Sequence, residues 1–224
     1  MKISKNKLNV VLDIGKTNVK LIFLKNDKIV KEYKTKQQNG SYRNSIKTLK
    51  SGKIIIWLIE KLKKESKKNI LENFVCTTHG CSLAFIGFDN KELIACTDYE
   101  YSFDKYKKEF LKVEPKFSTS FTPLLEGGLN TGLQIFYLSK KFPNVLKKTK
   151  YILSYPQYIA WKLSKTYSTE ITYVGCHSYL WDFKKNKYSQ LTKKLSVEKK
   201  FPPIKKAWEI IGDLKINNKK INIL

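Results

Sequence analysis

The chain has 224 residues, of which 42% are hydrophobic, 13% aromatic and 28% charged, and these fractions predict a globular chain rather than a disordered one, with a single domain over residues 1–224. No apolar run approaches the roughly 18 residues that a membrane span needs, and no cleavage site follows the basic N-terminus, so we expect a cytoplasmic protein without a membrane partner. The net charge of +25 would favour a nucleic acid as binding partner. However, Arg43 is the only arginine among 44 basic residues, and the lysines are dispersed along the chain. We therefore expect solvated surface lysines and no nucleic-acid partner.

The stretch from residue 10 to residue 24 has two apolar runs around a polar centre, which predicts a strand, a tight turn and a strand. Gly15 allows a positive φ and lets a phosphate approach the main chain. The polar side chains around it are Lys16, Thr17, Asn18 and Lys20. Asp13 ends the first strand and can hold a hydrated Mg²⁺, which prefers carboxylate oxygens and keeps several waters. The pattern predicts a phosphate-binding hairpin, and the alternative is an ordinary surface hairpin.

The end of this turn, Gly15-Lys16-Thr17, is also how a Walker A loop ends. That loop needs a glycine five positions before its final glycine, and the residue there is Val10, inside the first strand. A helix should follow the loop, whereas a second apolar strand follows here. The Walker A interpretation is therefore rejected.

The next elements alternate between strand and helix patterns. Residues 28–34 alternate as a third strand, and residues 44–68 carry apolar residues at helical spacing, with an interruption at Ser51-Gly52. Residues 73–80, 82–88 and 93–96 are predicted strands. The first ends at His79 and the last leads into Asp98, which favours a ligand site there because open α/β sheets bind ligands at the carboxyl ends of strands. A lone histidine in such a position is more often a structural hydrogen-bonding group than a ligand contact, and this alternative stays open for His79.

The second half of the chain is predicted to be mainly helical. Helices are expected over residues 102–112 and 133–142, the latter stopped by Pro143, with a polar connector at 115–123 between them. A short strand at 150–153 precedes a helix that begins at Tyr155-Pro156-Gln157. The lysine-rich tail from Lys184 shows no clear closing element.

The four cysteines show no Cys-x-x-Cys pair, and no secretory signal supports disulfides. The cluster of Cys76, His79 and Cys81 offers at most three ligands and lacks the second pair that a zinc site needs. We therefore expect buried free thiols.

Four stretches, in this order and spacing, resemble the N-terminal domain of the FGGY carbohydrate kinases, closest to the rhamnulokinase and fuculokinase-like branch. They are residues 13–18, 78–80, 153–161 and 169–182, which contain Asp-Ile-Gly-Lys-Thr-Asn, Thr-His-Gly, Leu-Ser-Tyr-Pro-Gln-Tyr with Ala-Trp, and Thr-Glu-Ile-Thr with Gly-Cys-His and Trp-Asp. The resemblance covers nearly all of residues 8–214. It implies an α/β fold: a ribonuclease-H-like domain of the actin, Hsp70 and sugar-kinase superfamily, with a mixed sheet and flanking helices.

The activity that this resemblance implies is transfer of the γ-phosphoryl group from Mg-ATP to a sugar hydroxyl, with ATP and Mg²⁺ as cofactors. Positioning and charge neutralisation supply most of the catalysis in such transfers. The implied catalytic residues are Asp13, which would also hold the Mg²⁺ through water, Lys16 and Thr17. The implied phosphate-binding residues are Gly15, Thr17, Asn18 and Lys20. The implied sugar-binding residues are His79, Gly80, Asp98, Tyr99 and His177.

The chain departs from the family in one respect. The general-base aspartate and the adenine surface of FGGY kinases belong to a second, C-terminal domain, and Asp213 comes too early to be that base. A truncated gene, a split gene with a separately encoded C-terminal kinase domain as partner, and a fragment all agree with the sequence. The competing functions are a non-catalytic sugar or phosphate sensor of the same fold, and a basic nucleic-acid-binding protein whose affinity would fall steeply with salt.

Overall fold

The structure is a computed structural model and describes residues 6–37, 40–43 and 45–224. Its strands, in chain order, are β1 (Lys7–Ile14), β2 (Asn18–Lys25), β3 (Lys28–Lys36), β4 (Ser41–Arg43), β5 (Ile46–Thr48), β6 (Ile70–Thr78), β7 (Leu83–Gly87), β8 (Glu92–Ile94), β9 (Thr149–Ser154), β10 (Thr169–Glu170), β11 (Trp181–Asp182), β12 (Lys187–Tyr188), β13 (Ile204–Lys205), β14 (Gly212–Ile216) and β15 (Lys219–Ile223). Its α-helices are α1 (Ser51–Ser66), α2 (Lys107–Phe110), α3 (Phe117–Ser120), α4 (Thr131–Lys141), α5 (Pro143–Lys148), α6 (Tyr155–Ser164), α7 (Ile171–Gly175) and α8 (Gln190–Lys194).

A six-stranded mixed sheet forms the centre, in the order β14-β15-β6-β1-β2-β3. The first three strands are antiparallel neighbours, and β6 pairs parallel with β1, as the sequence predicts. Alternate residues of β1 are buried, and the core that they form also contains Leu58 of α1 and Ile159 of α6. The sheet therefore buries one face against these two helices.

A second, three-stranded sheet, in the order β8-β7-β9, has a core of its own with α4. Every residue of β7 is buried, which agrees with its apolar sequence. The segment after β8 continues extended, because Thr97 donates its N–H to Leu83 O and Asp98 donates its N–H to Lys47 O, at 2.9 Å each. These bonds place Asp98 and its neighbours beside β5, next to the end of β1.

The predicted start of the first helix is wrong. The helix expected from residue 44 begins only at Ser51, because residues 46–48 form β5, in which Ile46 and Thr48 are buried and Lys47 lies between them. Asn44, the first residue of that expected helix, lies outside the described residues. α4 ends at Lys141, so the prediction that the helix stops before Pro143 is confirmed, and Pro143 itself begins α5, in whose first turn its missing N–H costs nothing.

The tail does contain a closing element. Strands β14 and β15 form a hairpin around Asn217 and Asn218, whose φ values of 49° and 60° are those of a tight hairpin turn. β15 then pairs parallel with β6 and extends the central sheet. In the described part of the chain, no helix is long and apolar enough to span a membrane.

Candidate functional site

The turn between β1 and β2, residues 15–17, is closed by a hydrogen bond of 2.9 Å from Gly15 N–H to Asn18 O. The expectation of a positive φ at Gly15 is wrong, because Gly127 alone among the described glycines has a left-handed φ. A close approach explains the glycine instead: a Cβ at position 15 would lie 3.0 Å from Asn18 O. The absent side chain leaves the turn narrow and its backbone accessible.

Asp13 is the penultimate residue of β1, half-buried, and lies opposite Lys20 of β2 and Thr77 of β6. Within the described residues, no side chain forms a hydrogen bond or ion pair with Asp13, Lys20, Thr17 or Asn18. These four side chains therefore have free polar atoms next to the turn. They are the groups that a phosphate or a hydrated cation could use.

Asp13 also fits the proposed role with Mg²⁺. The described residues contain no group of three or more His, Cys, Asp or Glu that could enclose a metal ion. Mg²⁺ commonly binds one or two carboxylates together with waters and phosphate oxygens, rather than an all-protein cage. A single carboxylate with free oxygens beside a turn that the sequence predicts to bind phosphate satisfies that requirement.

Lys16 differs from the other turn residues because its ammonium is already paired. Its Nζ lies 2.6 Å from Asp98 Oδ1 and 3.2 Å from Glu100 Oε2, and 4.7 Å from the centre of the Tyr99 ring. The side chain thus leaves the turn and lies against the segment that follows β8. The predicted phosphate residue Lys16 and the predicted sugar residues Asp98 and Tyr99 are brought together.

The Asp98 side chain is only 2% exposed, and both its oxygens are used. Oδ1 accepts hydrogen bonds from Lys16 Nζ and from Glu100 N–H, the latter at 3.1 Å, and Oδ2 lies 3.0 Å from Lys47 Nζ. Burial alone would raise the pKa of Asp98, but the hydrogen bonds from Lys16, Glu100 N–H and Lys47 hold it below its ordinary value. Asp98 is therefore an ionised carboxylate that holds two lysines.

Lys47 and Glu100 belong to this cluster, and the sequence indicated neither of them as a site residue. The hydrogen bond from Lys47 to Asp98 raises the pKa of Lys47, so its ammonium stays charged. No motif marks Lys47, and its position fell within the predicted helix. The alternation of Ile46, Lys47 and Thr48 was the available signal for a strand, but three residues are too few to distinguish it from a helix.

A cavity of about 420 Å³ opens next to this cluster. It is lined by Thr78, His79, Gly80, Cys81, Tyr99, Leu129, Thr172, Tyr173, Cys176 and His177. All the predicted sugar residues except Asp98 are in this lining, together with two cysteines and Tyr173. The cavity thus combines hydroxyl, imidazole and aromatic groups, the kinds of group that a small polar ligand needs.

His79 forms part of the cavity wall and packs between two aromatic rings, with its ring centre 5.3 Å from that of Tyr99 and 5.4 Å from that of Tyr155. Its Nδ1 is 3.1 Å from Gly80 O, which assigns the proton to Nδ1, while the buried Nε2 has no partner among the described residues. Burial lowers the pKa of His79, and the charge of Lys16 lowers it further, against the opposing effect of the Gly80 carbonyl. The imidazole is therefore neutral, with a bare acceptor nitrogen.

The turn and the cavity are neighbours in the fold. His79 donates its N–H to Ile14 O, the residue before Gly15, at 2.7 Å. A second cavity, of about 260 Å³, lies on the other side of Thr78 and is lined also by Thr77, Lys205 and Lys206. The turn after β1 and the segment from Thr77 to Gly80 lie at the carboxyl ends of β1 and β6, the edge at which α/β sheets bind ligands.

No family model matches the chain, and no curated protein matches it. Several solved structures do match the chain. A carbohydrate kinase from Novosphingobium aromaticivorans is 24% identical, over 98% of this chain and 48% of that one, with a TM-score of 0.89. A xylulose kinase from Lactobacillus acidophilus is 16% identical over 96% and 47% (TM-score 0.80), and a glycerol kinase from Plasmodium falciparum solved with ADP is 15% identical over 99% and 49% (TM-score 0.78).

At these identities the likeness establishes the fold. The chain has the mixed α/β fold that these solved kinases have over about half of their length. It spans about half the length of the solved structures that it matches. The matched structures include xylulose, gluconate and glycerol kinases, so the narrower rhamnulokinase and fuculokinase-like branch stays a prediction.

Proposed function

We propose that this chain is the N-terminal half of an ATP-dependent sugar kinase, which transfers the γ-phosphoryl group of Mg-ATP to a hydroxyl of a ketose or related sugar. One observation carries the proposal: a turn with free polar side chains lies beside an aromatic-lined cavity that contains imidazole and hydroxyl groups. The hydrogen bond from His79 N–H to Ile14 O joins the two. A donor phosphate at the turn and an acceptor hydroxyl in the cavity would then be adjacent, as phosphoryl transfer requires.

At the turn, the Gly15 backbone and the side chains of Thr17, Asn18 and Lys20 would hold the γ-phosphate. Asp13 would hold Mg²⁺ through water, and the ion would neutralise the negative charge of the phosphates. Lys16 would add a second cation, once it leaves Asp98.

In the cavity, His79 offers a bare acceptor nitrogen, and Tyr99, His177 and the backbone of Gly80 complete the proposed sugar site. Polar groups of this kind discriminate strongly among sugars, because an analogue without the matching hydroxyl leaves them unpaired. Asp98 holds Lys16 and Lys47 in this structure, and its contact with a sugar hydroxyl stays a prediction.

The general base and the adenine surface would come from a second domain, whether on the same polypeptide or encoded separately. Residues 1–224 alone should therefore release no ADP above background from Mg-ATP with rhamnulose, fuculose, xylulose or ribulose. A general base contributes about 10²–10⁴-fold, and water exclusion depends on closure of two domains. Sugar-dependent ADP release that follows the chain through purification, and disappears in Lys20→Ala, would show that the base lies within it.

The proposal itself is tested by binding and reconstitution. The chain should bind one ketose of the panel by isothermal titration calorimetry, and ADP should be released once a polypeptide with the second domain is added. Binding without turnover in that mixture would favour the sensor of the same fold. Absence of binding to every ketose and to Mg-ATP would overturn both.

A further inference from the structure

Two lysines and two acids form an ion cluster that joins the turn to the cavity wall. Lys16 comes from the turn and Lys47 from β5, while Asp98 and Glu100 follow β8. Lys47 Nζ lies 3.0 Å from Asp98 Oδ2 and 3.6 Å from Glu100 Oε2, so the two lysines share the same two carboxylates. Asp98 is the buried centre, whereas the Glu100 side chain is 50% exposed and contributes less.

We propose that Lys16 couples the turn to the cavity: a polyphosphate bound at the turn attracts the Lys16 ammonium away from Asp98, and Lys47 keeps Asp98 ionised and in place when it leaves. The inference rests on the proposed phosphate site. It adds Lys47 as a positioning residue, one that acts on the phosphate through Asp98 and Lys16.

Lys16 can exchange partners at modest cost. Its backbone is part of the turn, and its side chain is 28% exposed, so the ammonium keeps access to water and to an anion at the turn. Moving it from a carboxylate to a phosphate replaces one charge-assisted hydrogen bond by another. A polyphosphate carries more negative charge than the aspartate, so its binding favours the exchange.

Without Lys47, the departure of Lys16 would leave the buried Asp98 carboxylate without a cation. A buried carboxylate left without a cation is strongly destabilising, because its charge is then uncompensated. Lys47 and the Glu100 N–H would remain within 3.0 Å and 3.1 Å of its oxygens after Lys16 moves. The second lysine therefore makes the departure of the first possible.

Movement of the Lys16 side chain affects the cavity through the Tyr99 ring, which contacts both Lys16 and His79. Lys16 lies over the Tyr99 ring, and that ring meets His79 edge to face at an interplanar angle of 71°. Removing the ammonium releases one face of Tyr99 and takes a positive charge away from His79, while Asp98 and Glu100 stay. Phosphate binding should therefore raise the pKa of His79, and by linkage a ligand in the cavity and a phosphate at the turn must affect each other equally.

The experiment uses residues 1–224, inorganic tripolyphosphate with Mg²⁺, and NMR of the ring Hε1 protons. The chain has two histidines, and His177, in the same cavity but without a contact to Lys16, serves as the internal comparison. Saturation is followed at the Gly15 amide. We expect saturating tripolyphosphate to raise the pKa of His79, while the position of the His177 Hε1 resonance at fixed pH stays nearly the same.

The Lys16→Met variant distinguishes an effect on His79 that is caused by movement of Lys16 from one that is caused directly by the charge of the bound tripolyphosphate. In this variant the pKa of His79 should already be raised without ligand, and saturating tripolyphosphate should move it little further. An equal response in Lys16→Met and the wild type would show that the phosphate acts on His79 directly, and would overturn the coupling.

Lys47 is tested by affinity. Lys47→Met should weaken tripolyphosphate binding by about fivefold or more, because Asp98 then retains Lys16, and Lys47→Arg should restore it. Lys91→Met, which removes an exposed lysine paired with Asp89, is the matched control and should bind as the wild type does. Unchanged binding in Lys47→Met would overturn the role of Lys47.

The wild-type titration decides the case even where a variant folds poorly. Tripolyphosphate binding without a change at His79 would overturn the coupling and leave the proposed phosphate site standing. Absence of any tripolyphosphate binding would remove both.

Discussion

The turn region between β1 and β2 and the ion cluster around Asp98 are neighbours, and they differ in whether their polar side chains have partners. In the turn region, Asp13, Thr17, Asn18 and Lys20 have no side-chain partner among the described residues. In the ion cluster of Lys16, Lys47, Asp98 and Glu100, Asp98 is buried with both oxygens occupied. Buried charges must be paired, whereas half-exposed groups need not be. Free groups are therefore available to a ligand, paired groups hold the site in shape, and changes in the two regions should have different consequences.

The largest effect should come from the turn. With the second domain supplied, Asp13→Ala should lower the rate of Mg²⁺-dependent phosphoryl transfer by about 10²–10³-fold, as the loss of one transition-state electrostatic group does elsewhere. Its thermal unfolding midpoint should stay close to that of the wild type, because the carboxylate has no partner to lose. Coupled ADP assays and calorimetry measure the two quantities.

Asp89→Ala, at an exposed turn far from the site, is the matched control and should keep full turnover. Comparable turnover in Asp13→Ala would remove Asp13 from the mechanism. A lower midpoint with unchanged activity per folded molecule would make it a structural residue.

In the ion cluster, a substitution should mainly lower the stability of the folded chain. Asp98→Ala removes the acceptor of three hydrogen bonds and should lower the free energy of unfolding by about 1.5–3 kcal/mol, the range for hydrogen bonds to a charged group. Thr17→Ala should stay within about 0.5 kcal/mol of the wild type. Urea unfolding of the two variants tests the contrast directly. Equal losses in both would mean that the free and the paired region do not differ in the way described.

The stability of the folded chain at low pH should also depend on the paired carboxylate of Asp98. The pKa of Asp98 is lower in the folded chain than in the unfolded one, so its contribution is complete above the unfolded value of about 3.9 and is lost as the pH falls through the folded value. Between these values, the wild type should lose stability more steeply with falling pH than Asp98→Asn. Parallel stability curves from pH 5 to pH 2 would contradict the lowered pKa.

The sequence was sufficient for the features that local patterns determine. The hairpin around Gly15 and the strand that ends at His79 follow from apolar runs that turn residues bound. Lys47 and the β14–β15 extension were missed because both depend on distant partners: Lys47 is defined by Asp98, and β15 by its pairing with β6. The reason given for the glycine at position 15 was also wrong, since its φ is not left-handed and a Cβ there would instead make a tight contact of 3.0 Å with Asn18 O. Tertiary contacts of this kind leave no periodic signal.

The smallest effect concerns the cavity and needs no variant to be seen. Cys176 is an exposed thiol in the cavity lining, while Cys81 beside it is 6% exposed and burial raises its pKa to about 11. Because the thiolate is the reactive form, iodoacetamide should modify Cys176 first, as mass spectrometry of digests will show.

A ketose bound in the cavity should then protect Cys176. At about ten times the dissociation constant, roughly nine in ten cavities are filled, so the alkylation rate should fall by about tenfold if only the free cavity reacts. Glycerol at the same concentration controls for viscosity, and Cys176→Ser confirms the labelled site. A ketose that binds by calorimetry yet leaves the rate at Cys176 unchanged must bind elsewhere. The sugar site would then have to be moved from the cavity beside His79 to the second cavity, which is lined by Thr77, Lys205 and Lys206.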